Sequence, residues 1–235
     1  MTHYIASYDT ENPKCLAGCK QIVKMHRKHE MPATFFITGT TIEGNTSEYR
    51  ELLDDPLFEI ASHTYSHRML RDHPMCGPAA SPEGVREEIV RGKELVEDVF
   101  ERKCRGLRPG CSFVDALHGA TDALAIVAEA GYDYVSSMAW GKDYSLPAPL
   151  NQAHTYEEDG HPDIMELPCH GWHDNLLKDN NKWGPRRITL WPQPWPEAVP
   201  AGFVKDAADE FAINKVVIDR AAKEELGFVS LIWHP

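Results

Sequence analysis

The chain has 235 residues, and 42% of them are hydrophobic, which is enough for a packed core and argues against a disordered polymer. Its 36 acidic and 24 basic side chains leave a net charge of −12, which argues against nucleic acid or an anionic membrane surface as a partner. No apolar run reaches the roughly 18 residues of a membrane span, and no signal-peptide pattern begins the chain, so the cytoplasm is the expected location.

The first two-thirds of the sequence alternates predicted strands with predicted helices. The predicted strands are HYIASYD, PATFFITG, FEIASHT, RGLRPG and YDYVSSMAW, and the helices cover about 13–30, 47–53, 81–103 and an alanine-rich stretch ending at Gly131. Strands separated by helices of this length pair in parallel, with the helices outside the sheet. Active groups of such sheets and barrels lie at the carboxyl ends of the strands.

The composition changes between residues 146 and 200, which are rich in proline, tryptophan, histidine and asparagine. Only DIMELPC in this stretch looks like a strand, and the apolar content is too low for a core of its own. We therefore expect one domain spanning 1–235, with 146–200 as a loop-rich insertion over the mouth of a barrel. A helix over about 204–226 and a last strand, FVSLIWHP, close the chain.

Six cysteines occur in the sequence, which is enough for three disulfides. Without an export pattern, the expectation is that all six stay reduced and serve as structural residues. Cys15 and Cys19 lie one helical turn apart, but two thiols without a second pair nearby are a weak zinc signal.

Two histidines four residues apart, His63 and His67, follow the third predicted strand. Alone, such a pair is more often solvated surface than a metal site. The first strand ends with Asp9 and Glu11, whose i, i+2 spacing places both carboxylates on one side. Two histidines and a carboxylate form a catalytic zinc set with an open position, and a second carboxylate can accept a proton from water.

Four short motifs occur in a set order along the chain: SYDTE, SHTYSH, GLRPG and LIWHP. In residue type, order and strand position they resemble the motifs of the polysaccharide deacetylase family, also called the NodB-homology domain or carbohydrate esterase family four. The resemblance implies an α/β fold, a distorted (β/α) barrel of about seven strands.

The resemblance also implies a metal site. His63 and His67 would bind a divalent metal together with Glu11, zinc in the first place and cobalt, nickel or manganese as alternatives. Thr10 stands where the family usually has a second aspartate, and a threonine cannot serve as an anionic ligand. Glu11 is the nearest acid, and relatives that cleave cyclic imides or ureides use D-x-[DE] in this way.

Catalytic roles follow from the same resemblance. Asp9 would be the general base that activates water, His234 the general acid that protonates the leaving amine, and Arg108 the partner that orients Asp9. A backbone N–H near Gly110 or Cys111 would hold the developing oxyanion. The third motif reads RPG without the usual spacer between arginine and proline, which leaves this oxyanion donor open.

Aromatic residues are the candidates for substrate contact. The segment AWGKDYS, with Trp140 and Asp143, is the nearest candidate for the family's fourth motif, although it matches that motif poorly. The insertion adds two more aromatic residues, Tyr156 and Trp172. Trp140, Trp172 and Gly110 are the predicted substrate-binding residues, although packing of a long loop explains the tryptophans equally well. Further aromatics of the insertion are Trp183, Trp191 and Trp195.

The function predicted from these motifs is metal-dependent hydrolysis of a C–N amide bond, with N-deacetylation of an amino sugar or saccharide as the first choice. The segment DIMELPCHGWHDN resembles allantoinase-like and imidase-like relatives, so a small cyclic imide or ureide is an alternative substrate. A non-catalytic carbohydrate-binding relative is the alternative from another class. The expected partner is a saccharide or small molecule, and the sequence leaves the oligomeric state open, a homo-oligomer included.

Overall fold

The computed structural model describes residues 1–174, the backbone of 189–190, and residues 204–235. The described helices are α1 (Cys15–His29), α2 (Gly39–Gly44), α3 (Thr46–Leu53), α4 (Pro82–Phe100), α5 (Thr121–Ala130) and α6 (Ala207–Lys223). The described strands are β1 (His3–Thr10), β2 (Ala33–Ile37), β3 (Phe58–Ser62), β4 (Gly106–Leu107), β5 (Tyr134–Val135), β6 (Ser145–Leu146), β7 (His154–Tyr156), β8 (His161–Glu166), β9 (Thr189–Leu190) and β10 (Phe228–Trp233).

Eight of the described strands form one sheet in the order β10-β1-β2-β3-β4-β5-β8-β7. All neighbours in it pair in parallel except β7, which runs antiparallel to β8. The central strand β2 is buried along its whole length, as expected for a parallel strand covered on both faces. The predicted α/β class and distorted barrel are confirmed, with one strand more than the seven or so predicted.

The predicted insertion contributes to this sheet. Within its described part, β8 overlaps the segment DIMELPC, which is predicted as a strand, but begins two residues earlier and ends three residues earlier, and β7 falls in residues predicted to be loop. The strand β7 has only three residues, two of them at least partly exposed, so no alternation of polar and apolar residues marks it. Residues 175–188 and 191–200 of the insertion lie outside the described residues. Between them, the backbone of β9 pairs with β6.

A short segment after β8 links the far side of the sheet to β10. The backbone N–H groups of Leu167 and Cys169 donate to the carbonyl groups of Val135 and Met138, both at 2.7 Å. The next residue, His170, donates its N–H to the carbonyl of Ser230 in β10 at 2.8 Å. These hydrogen bonds bring β10 and β8 towards each other, although no ladder between them is among the described strand pairs.

The cysteines depart from the expectation that all six stay reduced. Cys76 and Cys111 form a disulfide, which ties the loop before α4 to the turn after β4. The spacing of 35 residues gave no motif from which this pair could be recognised. The other four cysteines are buried thiols, as predicted. Among the described residues, no helix combines the length and the apolar character needed to cross a membrane.

Candidate metal centre and active site

Five polar side chains from four strand ends meet at the carboxyl edge of the sheet. Asp9 is the penultimate residue of β1, and Glu11 directly follows that strand. His63 comes directly after β3. Arg108 and His234 come directly after β4 and β10. Because β10, β1, β2, β3 and β4 are neighbours in the sheet, residues far apart in sequence meet at one place, as the parallel arrangement predicts.

One carboxylate oxygen lies at the centre of the cluster. The Oε1 atom of Glu11 is 3.4 Å from His63 Nε2, 3.3 Å from His67 Nε2 and 3.4 Å from His234 Nε2. Asp9 Oδ2 lies 3.8 Å from the same nitrogen of His63. Within the described residues, Glu11, His63 and His67 form one group of donors close enough to hold a metal ion, and Asp9, Glu11 and His234 form another.

The hydrogen bonding of His63 fits a metal ligand. Its Nδ1 lies 2.8 Å from the backbone carbonyl of Arg108, which can only accept, so Nδ1 carries the proton. In the neutral ring the lone pair is therefore on Nε2, the atom that faces Glu11. Metal-binding histidines are held in this way, by a partner on the nitrogen that does not bind the ion. Two imidazoles and a carboxylate within reach of one point are a donor set suited to zinc and related divalent metals.

The loop that carries the two histidines is not helical. Thr64 and His67 have φ angles of 64° and 66°, so the chain makes a tight turn after β3. Gly110 packs against this turn, since a Cβ atom there would lie 2.8 Å from the Cε1 atom of the His67 ring. The structure therefore places Gly110 beside a predicted metal ligand, where a side chain would displace the imidazole. Its predicted substrate-binding role stays a prediction.

Glu88 of α4 holds the histidine loop in place. Its carboxylate accepts hydrogen bonds from the N–H and hydroxyl of Ser66, at 2.8 and 2.5 Å, and from Arg68 Nε at 2.7 Å. Burial raises the pKa of Glu88, but these hydrogen bonds outweigh it and the net shift is downward. Sequence reasoning missed this residue, because a glutamate on a charged helix looks like part of a solvated face, yet Glu88 is fully buried.

Asp9 and Arg108 form a buried ion pair beside the metal ligands. Arg108 Nη1 donates to Asp9 Oδ1 at 2.5 Å, and Nη2 donates to the hydroxyls of Ser7 and Ser136. Burial lowers the pKa of Arg108, but the charge of Asp9 more than offsets it and the net shift is upward. The pair fixes one carboxylate oxygen of Asp9 and leaves the other towards His63. This is the orienting contact predicted for Arg108.

His234 is held by a carboxylate that the sequence did not assign. Its Nδ1 lies 2.6 Å from Asp174 Oδ1, and its backbone N–H donates to the other oxygen of Asp174 at 3.2 Å. Burial lowers the pKa of His234, but Asp174 and Glu11 raise it, to about 11. Asp174 is itself buried. It lies in the segment DIMELPCHGWHDN, where the only available signal was a group of polar residues without periodicity.

The central carboxylate is strongly stabilised in its charged form. Burial raises the pKa of Glu11, but hydrogen bonds from His234, His63 and His67 lower it far below its usual range. Burial likewise lowers the pKa of His67, and Glu11 more than compensates, so that the net shift is upward. A negative charge held at Glu11 favours a cation beside its carboxylate oxygen, as expected of a metal-binding site.

The predicted aromatic platforms are packed into the protein. Trp140 and Trp172 are 1% and 3% exposed and share one hydrophobic cluster. Trp140 donates from Nε1 to the carbonyl of Cys111 and lies 4.3 Å from the ring of His173. Tyr156 is fully buried as well. These side chains act as core residues beside the site, which does not support stacking on a sugar, and the other tryptophans of the insertion lie outside the described residues.

The sequence is similar to those of known proteins. The family model described as polysaccharide deacetylase matches residues 7–135. Over 180 residues, 68% of this chain and 55% of the relative, the sequence is 25% identical to a peptidoglycan deacetylase of Helicobacter pylori. The chain thus spans about half the length of that curated relative.

A solved structure has the same fold. The chain is similar, with a TM-score of 0.67 and 18% identity, to a Mycobacterium smegmatis protein classed as a polysaccharide deacetylase, covering 100% of this chain and 77% of that one. A carbohydrate esterase family 4 pseudoenzyme from Bacillus anthracis gives a TM-score of 0.48 at 12% identity, over 100% of this chain and 69% of the other. Since the family model covers more than half of the sequence, the chain belongs to the polysaccharide deacetylase family.

Proposed function

We propose that this protein is a metal-dependent hydrolase that removes the N-acetyl group from an amino sugar of a saccharide. The observation that carries the proposal is the convergence of three histidine Nε2 atoms within 3.4 Å of one oxygen of Glu11, with an oriented carboxylate, Asp9, beside them. Family membership supports deacetylation, and the similarity to a peptidoglycan deacetylase supports an acetylated cell-wall sugar as the substrate class.

Glu11, His63 and His67 would hold the metal, with zinc as the first candidate. When bound there, a divalent metal supplies Lewis-acid polarisation of the acetamide carbonyl and lowers the pKa of attacking water. The tautomer of His63 is already set for this role by the Arg108 carbonyl.

Asp9 is the proposed general base. Arg108 occupies its Oδ1 atom, so Oδ2 is the oxygen that accepts a proton from the attacking water. The hydroxyl oxygen then forms a bond to the carbonyl carbon of the acetamide. The same contact places the buried positive charge of Arg108 next to the carboxylate of Asp9.

His234 is the proposed general acid. Asp174 holds its Nδ1, so the opposite nitrogen, Nε2, faces the cluster and carries the transferable proton. Addition of the hydroxyl oxygen to the acetamide carbon gives a tetrahedral intermediate. When this intermediate collapses, the C–N bond breaks and the proton of His234 passes to the departing nitrogen. The products are acetate and a free amino sugar, and the atoms of one water molecule are divided between them.

Metal content and acetate release together test the proposal. We expect the dialysed wild-type protein to retain about one tightly bound divalent metal and to release acetate from N-acetylglucosamine oligomers or from peptidoglycan. His63→Ala should lose both the metal and the activity. Asp9→Asn is the matched variant, since it should keep the metal and lose roughly 100-fold or more in kcat.

Two results would contradict the proposal in different ways. If the protein takes up no metal after incubation with zinc, cobalt or nickel, the metal-dependent mechanism is wrong. If the metal binds through His63 but no acetate leaves any acetylated saccharide, the protein is a non-catalytic relative, and saccharide binding by calorimetry becomes the relevant measurement.

A further inference from the structure

A second pair of histidines lies outside the centre described above. His118, in the loop between β4 and α5, and His154, the first residue of β7, are 36 residues apart in sequence. Their Nε2 atoms are 3.2 Å apart, and their ring planes are inclined by only 11°. Both residues are partly exposed, so solvent ions can reach them. Neither residue belongs to the deacetylase motifs.

The hydrogen bonds on the other ring nitrogens fix where the protons lie. Nδ1 of His118 is 2.6 Å from Asp159 Oδ2, and Nδ1 of His154 is 3.2 Å from the carbonyl oxygen of Gln152. Both partners accept, so each Nδ1 carries a proton. In the neutral rings, each Nε2 therefore presents a lone pair, and two lone pairs face each other. This contact repels unless a cation lies between the two nitrogens.

We propose that His118 and His154 bind a divalent transition metal through their Nε2 atoms, with water completing its coordination. Two nitrogens each about 2.0–2.1 Å from a tetrahedral ion are about 3.3 Å apart, which is close to the 3.2 Å between these two atoms. Imidazole nitrogens select zinc, copper and nickel over magnesium and calcium.

Asp159 completes the pattern expected around such a ligand. One of its oxygens accepts from Nδ1 of His118, and the other accepts from the backbone N–H of Gly119 at 2.8 Å. A carboxylate behind a histidine orients the ring and raises its basicity towards a metal. The side chain of Asp159 is only 12% exposed, so the orientation is well defined.

The position of the site indicates a structural role. It links the loop after the third motif to the edge strand β7, in a part of the insertion that the sequence predicts to be loop. The hydroxyl of Tyr156 already donates to the buried carboxylate of Glu166 at 2.5 Å and accepts from the N–H of Leu117 at 3.2 Å. A metal between His118 and His154 would add a second link between the same two segments. With two protein ligands it binds more weakly than the catalytic set.

Calorimetric titration of the chelator-treated protein with Zn²⁺ tests this site. We expect two equivalents of Zn²⁺ on the wild type, one tight and one weaker, and loss of the weaker one in His154→Gln and in His118→Gln. Asp159→Asn keeps both ligands and should weaken that step about 10- to 100-fold. His29→Gln is the control, because His29 is an exposed histidine at the end of α1.

A second measurement does not depend on the variants folding. Cu²⁺ added to the wild-type protein whose catalytic site is filled with Zn²⁺ should give an electron paramagnetic resonance spectrum with coupling to two imidazole nitrogens. If the wild type and His154→Gln bind the same number of Zn²⁺ ions, or if Cu²⁺ shows no coupling to two imidazoles, the proposal is wrong, and the two histidines share a proton instead. Neither readout depends on deacetylase activity.

Discussion

The two halves of the metal centre are fixed in place by different chemistry. We call His63, His67 and Arg108 the motif half, because all three lie in the second and third motifs. We call His234 with Asp174 the closing half, because His234 directly follows the last strand and Asp174 lies in the segment that approaches that strand. Both halves converge on Glu11, whose Oε1 atom is equally close to His63 and His234.

The motif half is held by several contacts that are independent of one another. Glu88 binds the loop between the histidines through backbone and side-chain hydrogen bonds. Helix α4 comes so close that a Cβ atom on Gly92 would lie 2.8 Å from the carbonyl carbon of Thr64. Losing any one of these contacts leaves the others in place.

The closing half depends on fewer contacts. His234 is oriented by Asp174, which lies 60 residues earlier in the chain. The strand that carries His234 is joined to the preceding segment through His170, whose ring and backbone both hydrogen-bond to Ser230. The two halves therefore differ in redundancy, and this difference gives each half its own sensitivity to mutation.

The largest effect is expected from Asp174→Asn, which removes the carboxylate that orients His234 in the closing half. The amide cannot stabilise a protonated His234 as the carboxylate does, so proton transfer to the leaving amine becomes less efficient. We expect kcat for acetate release to fall about 100-fold, with KM and metal content nearly unchanged. Steady-state kinetics and elemental analysis measure these quantities.

The conservative variant separates orientation from folding. Asp174→Glu retains the charge and should recover part of the lost kcat, whereas a purely structural role would give parallel losses in both variants. Equal kcat in Asp174→Asn and wild type would show that His234 does not need this carboxylate.

The same difference between the halves explains what could be predicted from the sequence. Asp9 lies near the end of β1, and His63, Arg108 and His234 directly follow β3, β4 and β10, so strand patterning predicts that they share one edge of the sheet. Their mutual proximity then followed from parallel topology. The assignment of Glu11 instead of Thr10 as a metal ligand stays a prediction, and the fully buried hydroxyl of Thr10 contacts Cys19 Sγ.

The supporting residues could not be predicted in this way. Glu88 and Asp174 reach the site through tertiary packing, and neither lies at a spacing that marks its target. Trp140 was chosen by resemblance to a motif, but it lies in a hydrophobic cluster because its indole is large and its N–H finds the Cys111 carbonyl. Strand β7 has only three residues, too few to show an alternation of polar and apolar side chains. A single sequence also carries no signal from which the disulfide between Cys76 and Cys111 can be predicted.

A smaller effect is expected from Glu88→Gln in the redundant motif half. The amide keeps the shape but loses two charge-assisted interactions, with Arg68 and with the Ser66 hydroxyl. We expect the free energy of unfolding to fall by about 2 kcal/mol and the affinity of the catalytic metal to fall about tenfold. Urea denaturation and competition with a chelator give the two numbers.

Glu87→Gln is the matched control for this change. Glu87 is the preceding residue on the same helix and also pairs with Arg68, but its side chain is 43% exposed. An exposed ion pair contributes little, so we expect a change below about 1 kcal/mol and no change in metal affinity. Equal effects of the two substitutions would mean that Glu88 does not position the histidine loop.

The smallest effect is expected in the closing half, and only in acid. Burial lowers the pKa of His170 to about 4, against 6.5 for the free side chain. Its Nδ1 accepts a hydrogen bond from the Ser230 N–H. In a protonated ring Nδ1 would carry a hydrogen of its own, so this hydrogen bond would be lost. Between pH 6.5 and 4 the unfolded chain therefore binds a proton that the folded chain does not, so stability falls as the pH falls.

Protonation of His170 alone is expected to lower the free energy of unfolding by about 2 kcal/mol between pH 7.5 and pH 5. We expect His170→Asn to be less stable than the wild type at pH 7.5 and to lose about 2 kcal/mol less on acidification, as measured by urea denaturation at both pH values. His29→Asn, at an exposed position, should keep the wild-type pH dependence. Because Glu88 is a carboxylate whose pKa is lowered, the motif half should keep its anchor in the same range. An unchanged pH dependence in His170→Asn would remove the proposed difference in acid sensitivity between the two halves.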